Sequence, residues 1–395
     1  MSLRILHIIG DSNPAMGGAI EGVLRLGDAY RALGHSQHLL TLDDPSDPWV
    51  AACPSPIAAM GRPGPRKRFY PVRAIRWLRR HAREFDGVVV DGLWNGSTLA
   101  ARRVLPGSGI AYCVFPHGML DPWFRQSQPR KEWVKRRLFR VNEGPLLRGA
   151  EAVLFTTGRE CELAAQSWPG WHGMAEKVIG FGTGEPPPET GEMHSAFRAA
   201  VPDMKTRPYL LFLSRIHPKK GCEILLEGFA AQRDLRDRQL VMAGPGDTDY
   251  VASLQALADR LGIGDRVVWP GMLAGDAKWG ALYGADAMVL TSYQENFGVV
   301  VAEALACRTP VIISDQVNIC TEVQQADAGI VCRPETTSVA EALGGFAAMS
   351  ERERSDMTLR GRALFARAFS MRETAARLID LFADSAEMEK QLSYS

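Results

Sequence analysis

The chain has 395 residues, 46% hydrophobic and 23% charged, with a formal net charge of +1. That length exceeds one ordinary domain and the composition supports two packed cores, which excludes disordered, collagenous and disulfide-stapled classes. The small net charge hides a split. Residues 1–200 carry 25 Lys and Arg against 19 Asp and Glu, and residues 201–395 carry 21 against 26. The first half is therefore the candidate for an anionic partner.

The start, Met1 to Ile9, is too short an apolar run for a signal peptide and reads as a first strand, Ile5–Ile9. The loop Gly10–Gly18 leads into a predicted helix from Ala19 to Leu33, ended by Gly34, and Ser36–Leu42 is the next strand. Val88–Val90, Ile110–Val114, Ala152–Thr156 and Lys177–Ile179 continue the series. Uninterrupted apolar strands separated by helices imply parallel sheets covered on both faces. Glu185–Pro208, with three consecutive prolines, breaks the pattern and is predicted as a linker. A second alternation follows: strand Tyr209–Ser214, a helix from Cys222, strand Gln239–Ala243 and helix Val251–Leu261. Strands Val267–Trp269, Ala287–Thr291, Pro310–Ile313 and Gly329–Val331 complete it. In the terminal stretch Met371–Phe382, Ala375, Leu378, Ile379 and Phe382 share one helical face. Two doubly wound domains with a cleft at their C-terminal strand ends are expected.

The seven cysteines form no C-x-x-C pair and do not cluster with histidine. This disfavours zinc and disulfides and favours a reducing cytosol. No apolar run approaches the roughly 20 residues that span a bilayer, so contact with a membrane is expected to be peripheral at most.

The most informative segment is Glu295-Asn296-Phe297-Gly298-Val299-Val300-Val301-Ala302-Glu303, between a predicted strand and a predicted helix, Ala302–Ala306. Backbone N–H groups at such a turn suit phosphate, and the flanking carboxylates accept hydrogen bonds from hydroxyls. Phosphate with hydroxyls at both ends describes a nucleotide sugar. Were the segment helical, eight residues would hold the glutamates about 12 Å apart. Hydrolytic carboxylate pairs stand roughly 5–9.5 Å apart, so two hydroxyl-binding roles are favoured over an acid–base pair.

Arg215-Ile216-His217-Pro218-Lys219-Lys220-Gly221 follows a strand directly. Arg215 can fork two phosphate oxygens while Lys220 supplies a point charge; the alternative is an exposed basic loop. Gly244 ends another strand. Gly17 and Gly18 lie on the first strand-to-helix loop, where paired glycines let a ligand approach the backbone. They do not form G-x-G-x-x-G, which counts against a dinucleotide-binding oxidoreductase. In Phe115-Pro116-His117-Gly118-Met119-Leu120-Asp121-Pro122-Trp123, His117 falls at a strand end, and Asp121 either orients an acceptor hydroxyl or caps a helix. Residues 62–83 hold nine Arg or Lys and no acid, and residues 125–148 hold eight more. Interleaved aromatic and aliphatic residues suit an anionic membrane surface or a lipid diphosphate, the alternative being a solvated face. No nucleic-acid-binding module is recognisable.

Together these residues resemble the retaining glycosyltransferases of family 4, which have the α/β GT-B fold: two Rossmann-like domains facing a central cleft, with a C-terminal helix crossing back. The resemblance covers nearly the whole chain. It implies an N-terminal acceptor domain of residues 1–188, joined by a helix of about residues 371–390, and a donor domain of residues 205–370. It implies that Arg215 and Lys220 hold the donor diphosphate, that Glu295 and the backbone of Asn296, Phe297, Gly298 and Val299 hold the sugar, and that Glu303 holds the ribose. Gly18 is implied near the β-phosphate and His117 near the donor sugar. Anomeric configuration is retained and no metal or other cofactor is implied. The leaving phosphate helps deprotonate the acceptor, and domain closure excludes water. Two departures stand out: Ser314–Glu322 lacks the family's paired glycines, and Cys307-Arg308 replaces a small pair. "PHGMLDPW" and "SDQVNI" resemble stretches of bacterial exopolysaccharide and O-antigen hexosyltransferases. That narrower resemblance implies a lipid-diphosphate-linked saccharide acceptor, and with the basic first half a place at the inner face of the cytoplasmic membrane, while the frequency of donors in the family favours a UDP-hexose over a GDP-hexose. The alternatives are a nucleotide-sugar epimerase, a glycosyl phosphorylase and a non-catalytic nucleotide-binding adaptor.

Overall fold

The computed structural model describes residues 2–14, 18–61, 71–122, 129–168, 170–172, 174–202, 204 and 207–393. The chain divides into two compact units, Met1–Gly184 with Met371–Ser395, and Glu185–Ser370.

The first unit is built on seven strands: β1 (Arg4–Ile8), β2 (Ser36–Thr41), β3 (Ile57–Ala59), β4 (Gly87–Asp91), β5 (Tyr112–Phe115), β6 (Ala152–Phe155) and β7 (Glu176–Val178). They pair in parallel in the order β3-β2-β1-β4-β5-β6-β7. The second has β8 (Tyr209–Leu213), β9 (Gln239–Ala243), β10 (Val267–Gly271), β11 (Ala287–Leu290), β12 (Val311–Ser314) and β13 (Gly329–Cys332), ordered β10-β9-β8-β11-β12-β13. Central strands such as β4 (GVVVD) and β8 (YLLFL) are buried at every residue. Helices cover both faces of such a sheet, so strand and helix signals alternate along the chain. The strand order reverses between β1 and β4 and again between β8 and β11. Loops leaving such paired strands diverge, and the crevice they open is where open α/β sheets bind ligands.

The predicted linker does not persist as one. Gly191–Ala200 is a helix whose Met193 and Phe197 are buried, and it packs on the helix Gly275–Tyr283 of the same unit. Tyr283 donates to the Pro187 carbonyl at 2.8 Å, and a Cβ at Gly280 would overlap the Met193 carbonyl oxygen. The unit boundary therefore falls after Gly184, and residues 185–204 belong with the second sheet. Prolines and charges dominate the start of this segment. Only two large apolar residues, Met193 and Phe197, mark the helix, too few to reveal a period. The short edge strand β3 also escaped prediction.

The terminal helix, Met371–Ser393, lies on the first unit. Ala375, Leu378 and Phe382 are fully buried, while Ile379 is partly exposed. Phe382 occupies the space a Cβ at Gly87 would need, so its ring sits directly on β4. Arg377 Nη1 donates to the Ile179 carbonyl at 3.0 Å, and the Met371 N–H donates to the Thr183 carbonyl at 3.0 Å. No described helix is long and apolar enough to cross a membrane.

Because Phe382 closes the face of β4, Phe382→Ala should cost about 3–5 kcal/mol in the first unit. Hydrogen exchange at β1 and β4 amides should accelerate while exchange at β8 and β11 amides is unchanged. Unaltered exchange at β4 would contradict the packing described.

Candidate functional site

The loops leaving β8 and β11 carry the residues singled out in the second half of the sequence, and backbone geometry ties the loops together. After β8 the chain makes a short turn, Pro218–Lys220, and reaches Gly221 in the left-handed conformation (φ 65°), which starts the helix Cys222–Ala231. A Cβ at Gly221 would overlap the Thr291 carbonyl oxygen, so only glycine lets the two loops meet. Thr291 Oγ1 donates to the Gly221 carbonyl at 2.9 Å, and the Tyr293 N–H donates to the Lys219 carbonyl at 2.8 Å. On this frame Lys220, largely buried, pairs with Glu295. His217 reports the local field. Partial burial, and then the charges of Arg215, Lys219 and Lys220, push its imidazole below the ordinary value.

Gly298 (φ 77°) caps the helix Val299–Ala306. The Val301 N–H donates to the Gly298 carbonyl at 2.8 Å, the N–H groups of Val299 and Val300 precede any intrahelical acceptor, and a Cβ at Gly298 would stand 3.4 Å from Glu295 Cγ, so the helix starts beside Glu295. The helix begins at Val299, later than the spacing estimate assumed. Helical rise therefore separates only part of the Glu295–Glu303 interval. Glu295 sits on an extended turn, bridged to Val317. Glu303 sits inside the helix, 3% exposed, with Lys278 Nζ 2.7 Å from its Oε1. Each carboxylate has its own lysine, on a different element. Phe297 is buried and meets Phe369 edge-on with centroids 5.5 Å apart. Gly244 ends β9 at φ 146°, where a Cβ would overlap the Ser214 carbonyl oxygen. Beside it lies a cavity of about 400 Å³ lined by Ile216, Gly244, Thr248, Trp269 and Gly271, large enough for a planar heterocycle. Trp269 carried no signal in the sequence beyond its strand position, and Thr248, the first residue of the helix Thr248–Arg260, carried none.

In the first unit His117 lies two residues past β5 in the left-handed region (φ 51°), stacked on Phe115 at 4.2 Å and edge-on to Phe181 at 5.7 Å. Its Nε2 lies 2.9 Å from Asp91 Oδ1, and the other Asp91 oxygen lies 2.8 Å from His7 Nδ1. Burial raises the Asp91 carboxyl, but the charges and hydrogen bonds of His7 and His117 outweigh it. The net value falls below the ordinary 3.8. Glu160, also buried, accepts from the Gly118 N–H at 2.6 Å and the Thr156 N–H at 2.8 Å, which fixes the turn after His117. The sequence reading missed His7, Asp91, Glu160 and Lys278. Asp91 had one usable signal, a carboxylate ending an otherwise apolar strand.

Gly17 lies outside the described residues. Gly18 is the exposed first residue of the helix Gly18–Ala32, and nothing lies within 4 Å of where its Cβ would stand. Protein packing therefore does not demand glycine at 18. Asp121 is buried just past the His117 turn, and its N–H donates to the Gly118 carbonyl at 3.2 Å. The residues that would decide whether it caps a helix, 123–128, are outside the description. So are Arg62, Arg66, Lys67, Arg68 and Arg125 of the basic stretches. Arg73, Arg76, Arg79 and Arg80 lie on the helix Val72–His81.

Asp91→Asn should destabilise the first unit by at least about 1.5–3 kcal/mol at neutral pH, because two buried rings lose a charged acceptor. The depressed carboxyl stabilises the fold above its unfolded pKa, and that contribution is lost as pH falls through the folded value. The variant should therefore show a flatter loss of stability below about pH 4. Superimposable acid-unfolding curves would contradict this role for Asp91.

Comparison with known proteins agrees with this geometry. The family described as "Glycosyl transferase 4-like domain" matches residues 17–173, and "Glycosyl transferases group 1" matches residues 195–363. The chain is 33% identical over 202 residues to the D-inositol 3-phosphate glycosyltransferase of Salinispora tropica. That match covers 48% of this chain and 42% of the relative. The chain spans less than half the length of the curated relatives it matches. Sucrose-phosphate synthase from Thermosynechococcus elongatus shares the fold with a TM-score of 0.73 at 21% identity, over 100% of both chains. Anabaena HepE, solved in complex with UDP and glucose, has a TM-score of 0.71 at 19% identity, over 97% of this chain and 100% of its own. The first unit thus matches the glycosyl transferase 4-like family and the second the glycosyl transferases group 1 family, on a chain with the GT-B fold.

Proposed function

We propose that this protein transfers a hexose, with retention of anomeric configuration and without a metal, from UDP-hexose to a saccharide acceptor carried on a lipid diphosphate. The observation that carries the reading is the Lys220–Glu295 pair beside the Gly298-capped helix start. A diphosphate competes with Glu295 for Lys220, since it offers more charge and more oxygens. Displaced from Lys220, Glu295 is free to accept hydrogen bonds from sugar hydroxyls. Arg215 and the helix start share the negative charge that builds on the leaving phosphate, an electrostatic contribution that grows toward the transition state. Glu303, held by Lys278, is assigned to the ribose, and the cavity beside Gly244 to the base. The structure of HepE in complex with UDP and glucose supports a uridine nucleotide. His117 is assigned to the donor sugar and Gly18 to the donor β-phosphate. Acceptor recognition is assigned to the basic first unit, with Asp121 as a proposed participant. A place at the inner face of the cytoplasmic membrane follows from that assignment.

Glu295→Ala should abolish transfer from UDP-glucose while the protein stays folded, followed as UDP release and product formation. Turnover at the wild-type rate would overturn the role given to Glu295. Binding to vesicles of anionic lipid should be strong at low salt and weaken as salt shortens the Debye length from about 30 Å at 0.01 M to 10 Å at 0.1 M. An absence of binding at low salt would remove the membrane component.

A further inference from the structure

Apart from the donor residues, the first unit holds a second built site. A cavity of about 520 Å³ is lined by Trp94, Leu99, Leu138, Val141, Asn142 and Glu143, among others. It lies where the loop after β4 and the helix Gly96–Val104 meet the helix Pro129–Leu138 and the wide helical turn Phe139–Glu143. Its polar groups are incompletely used. Glu143 is 1% exposed, and its Oε1 accepts from the Trp94 N–H (3.2 Å), Thr98 Oγ1 (3.2 Å) and Asn142 Nδ2 (3.0 Å). Its Oε2 has no partner among the described residues, and the same holds for Asn142 Oδ1, Trp94 Nε1 and Arg102 Nε. Buried polar atoms are rarely left unpaired. Two are acceptors and two are donors, and hydroxyls satisfy both kinds. Trp94 adopts φ 64°, a conformation that bulky side chains seldom take, and strain of this kind concentrates at functional sites. Burial also lifts the Glu143 carboxyl above its ordinary value.

Val141 is shared with an adjoining cavity of about 510 Å³ lined by Trp133, Arg136, Arg137 and Arg140. There the chemistry is cationic and apolar. Trp133 and Val141 are each 66% exposed, and Leu138 is 40% exposed. A strip of apolar side chains thus runs beside three guanidinium groups and ends at a pocket that favours hydroxyls.

We propose that the two cavities form one site for an anionic amphiphile with a hydroxylated headgroup. The ring hydroxyls meet Glu143, Asn142 and Trp94, the phosphate lies against Arg136, Arg137 and Arg140, and the alkyl chain follows Leu138, Val141 and Trp133. This deepens, and rests on, the reading that the acceptor is a lipid-linked saccharide.

The probe is monomeric lysophosphatidylinositol, which joins a hydroxylated ring, a phosphate and one chain, titrated into the full chain and followed by calorimetry. Lysophosphatidic acid lacks the ring and should bind at least tenfold more weakly. Glu143→Gln keeps the size of the side chain and should weaken the inositol lipid about tenfold without weakening lysophosphatidic acid. Val141→Glu, at an exposed position, should abolish binding of both while circular dichroism is unchanged. Equal affinity for the two lipids, or full binding by Val141→Glu, overturns the proposal. UDP titrated into the same wild-type protein reports the donor site separately. Lipid binding lost with UDP binding intact overturns the amphiphile site alone, and the reverse result overturns the donor assignment alone.

Discussion

The Lys220–Glu295 ion pair is the interaction around which the second unit's candidate site is organised. It joins loops leaving β8 and β11, the two strands between which the sheet order reverses. Divergence at that point opens a crevice, and Gly221 lets the loops approach closely enough for the pair to form. Gly298 then starts a helix beside Glu295. A largely buried lysine needs a counter-ion. Glu295 serves in that capacity, and in the proposed function a diphosphate takes its place, so that one pair would both hold the loops and select an anionic ligand.

Elsewhere the buried carboxylates are secured in the same manner. Glu303 has Lys278, Asp91 has His7 and His117, and Glu160 accepts from backbone N–H groups around the His117 turn. These partners hold the carboxylates in fixed orientations. Glu143 departs from the pattern, with one oxygen accepting three hydrogen bonds and the other none. That asymmetry sets its cavity apart from ordinary core packing.

Much of this was legible in the sequence because parallel sheets buried on both faces write their strands as apolar runs. Tyr209–Leu213 and Val88–Val90 could hardly be anything else. The segment from Glu295 to Glu303 was legible too, since its glycine turn and paired glutamates are contiguous. Lys278 was not, because its partner Glu303 lies 25 residues away and nothing local to Lys278 marks the contact. His7 and Asp91 are 84 residues apart and meet only through the β1–β4 pairing. The helix Gly191–Ala200 escaped because its stabilising surface is another helix, Gly275–Tyr283, and propensity within a proline-rich segment carries no trace of that partner.

The account stands most directly on Lys220. Calorimetric titration of UDP into the wild-type protein and into Lys220→Met measures its contribution. The account predicts at least a tenfold loss of affinity, about 1.4 kcal/mol, because the variant removes a phosphate cation and leaves Glu295 as an uncompensated negative charge at the phosphate site. Equal affinity in the two proteins would contradict it.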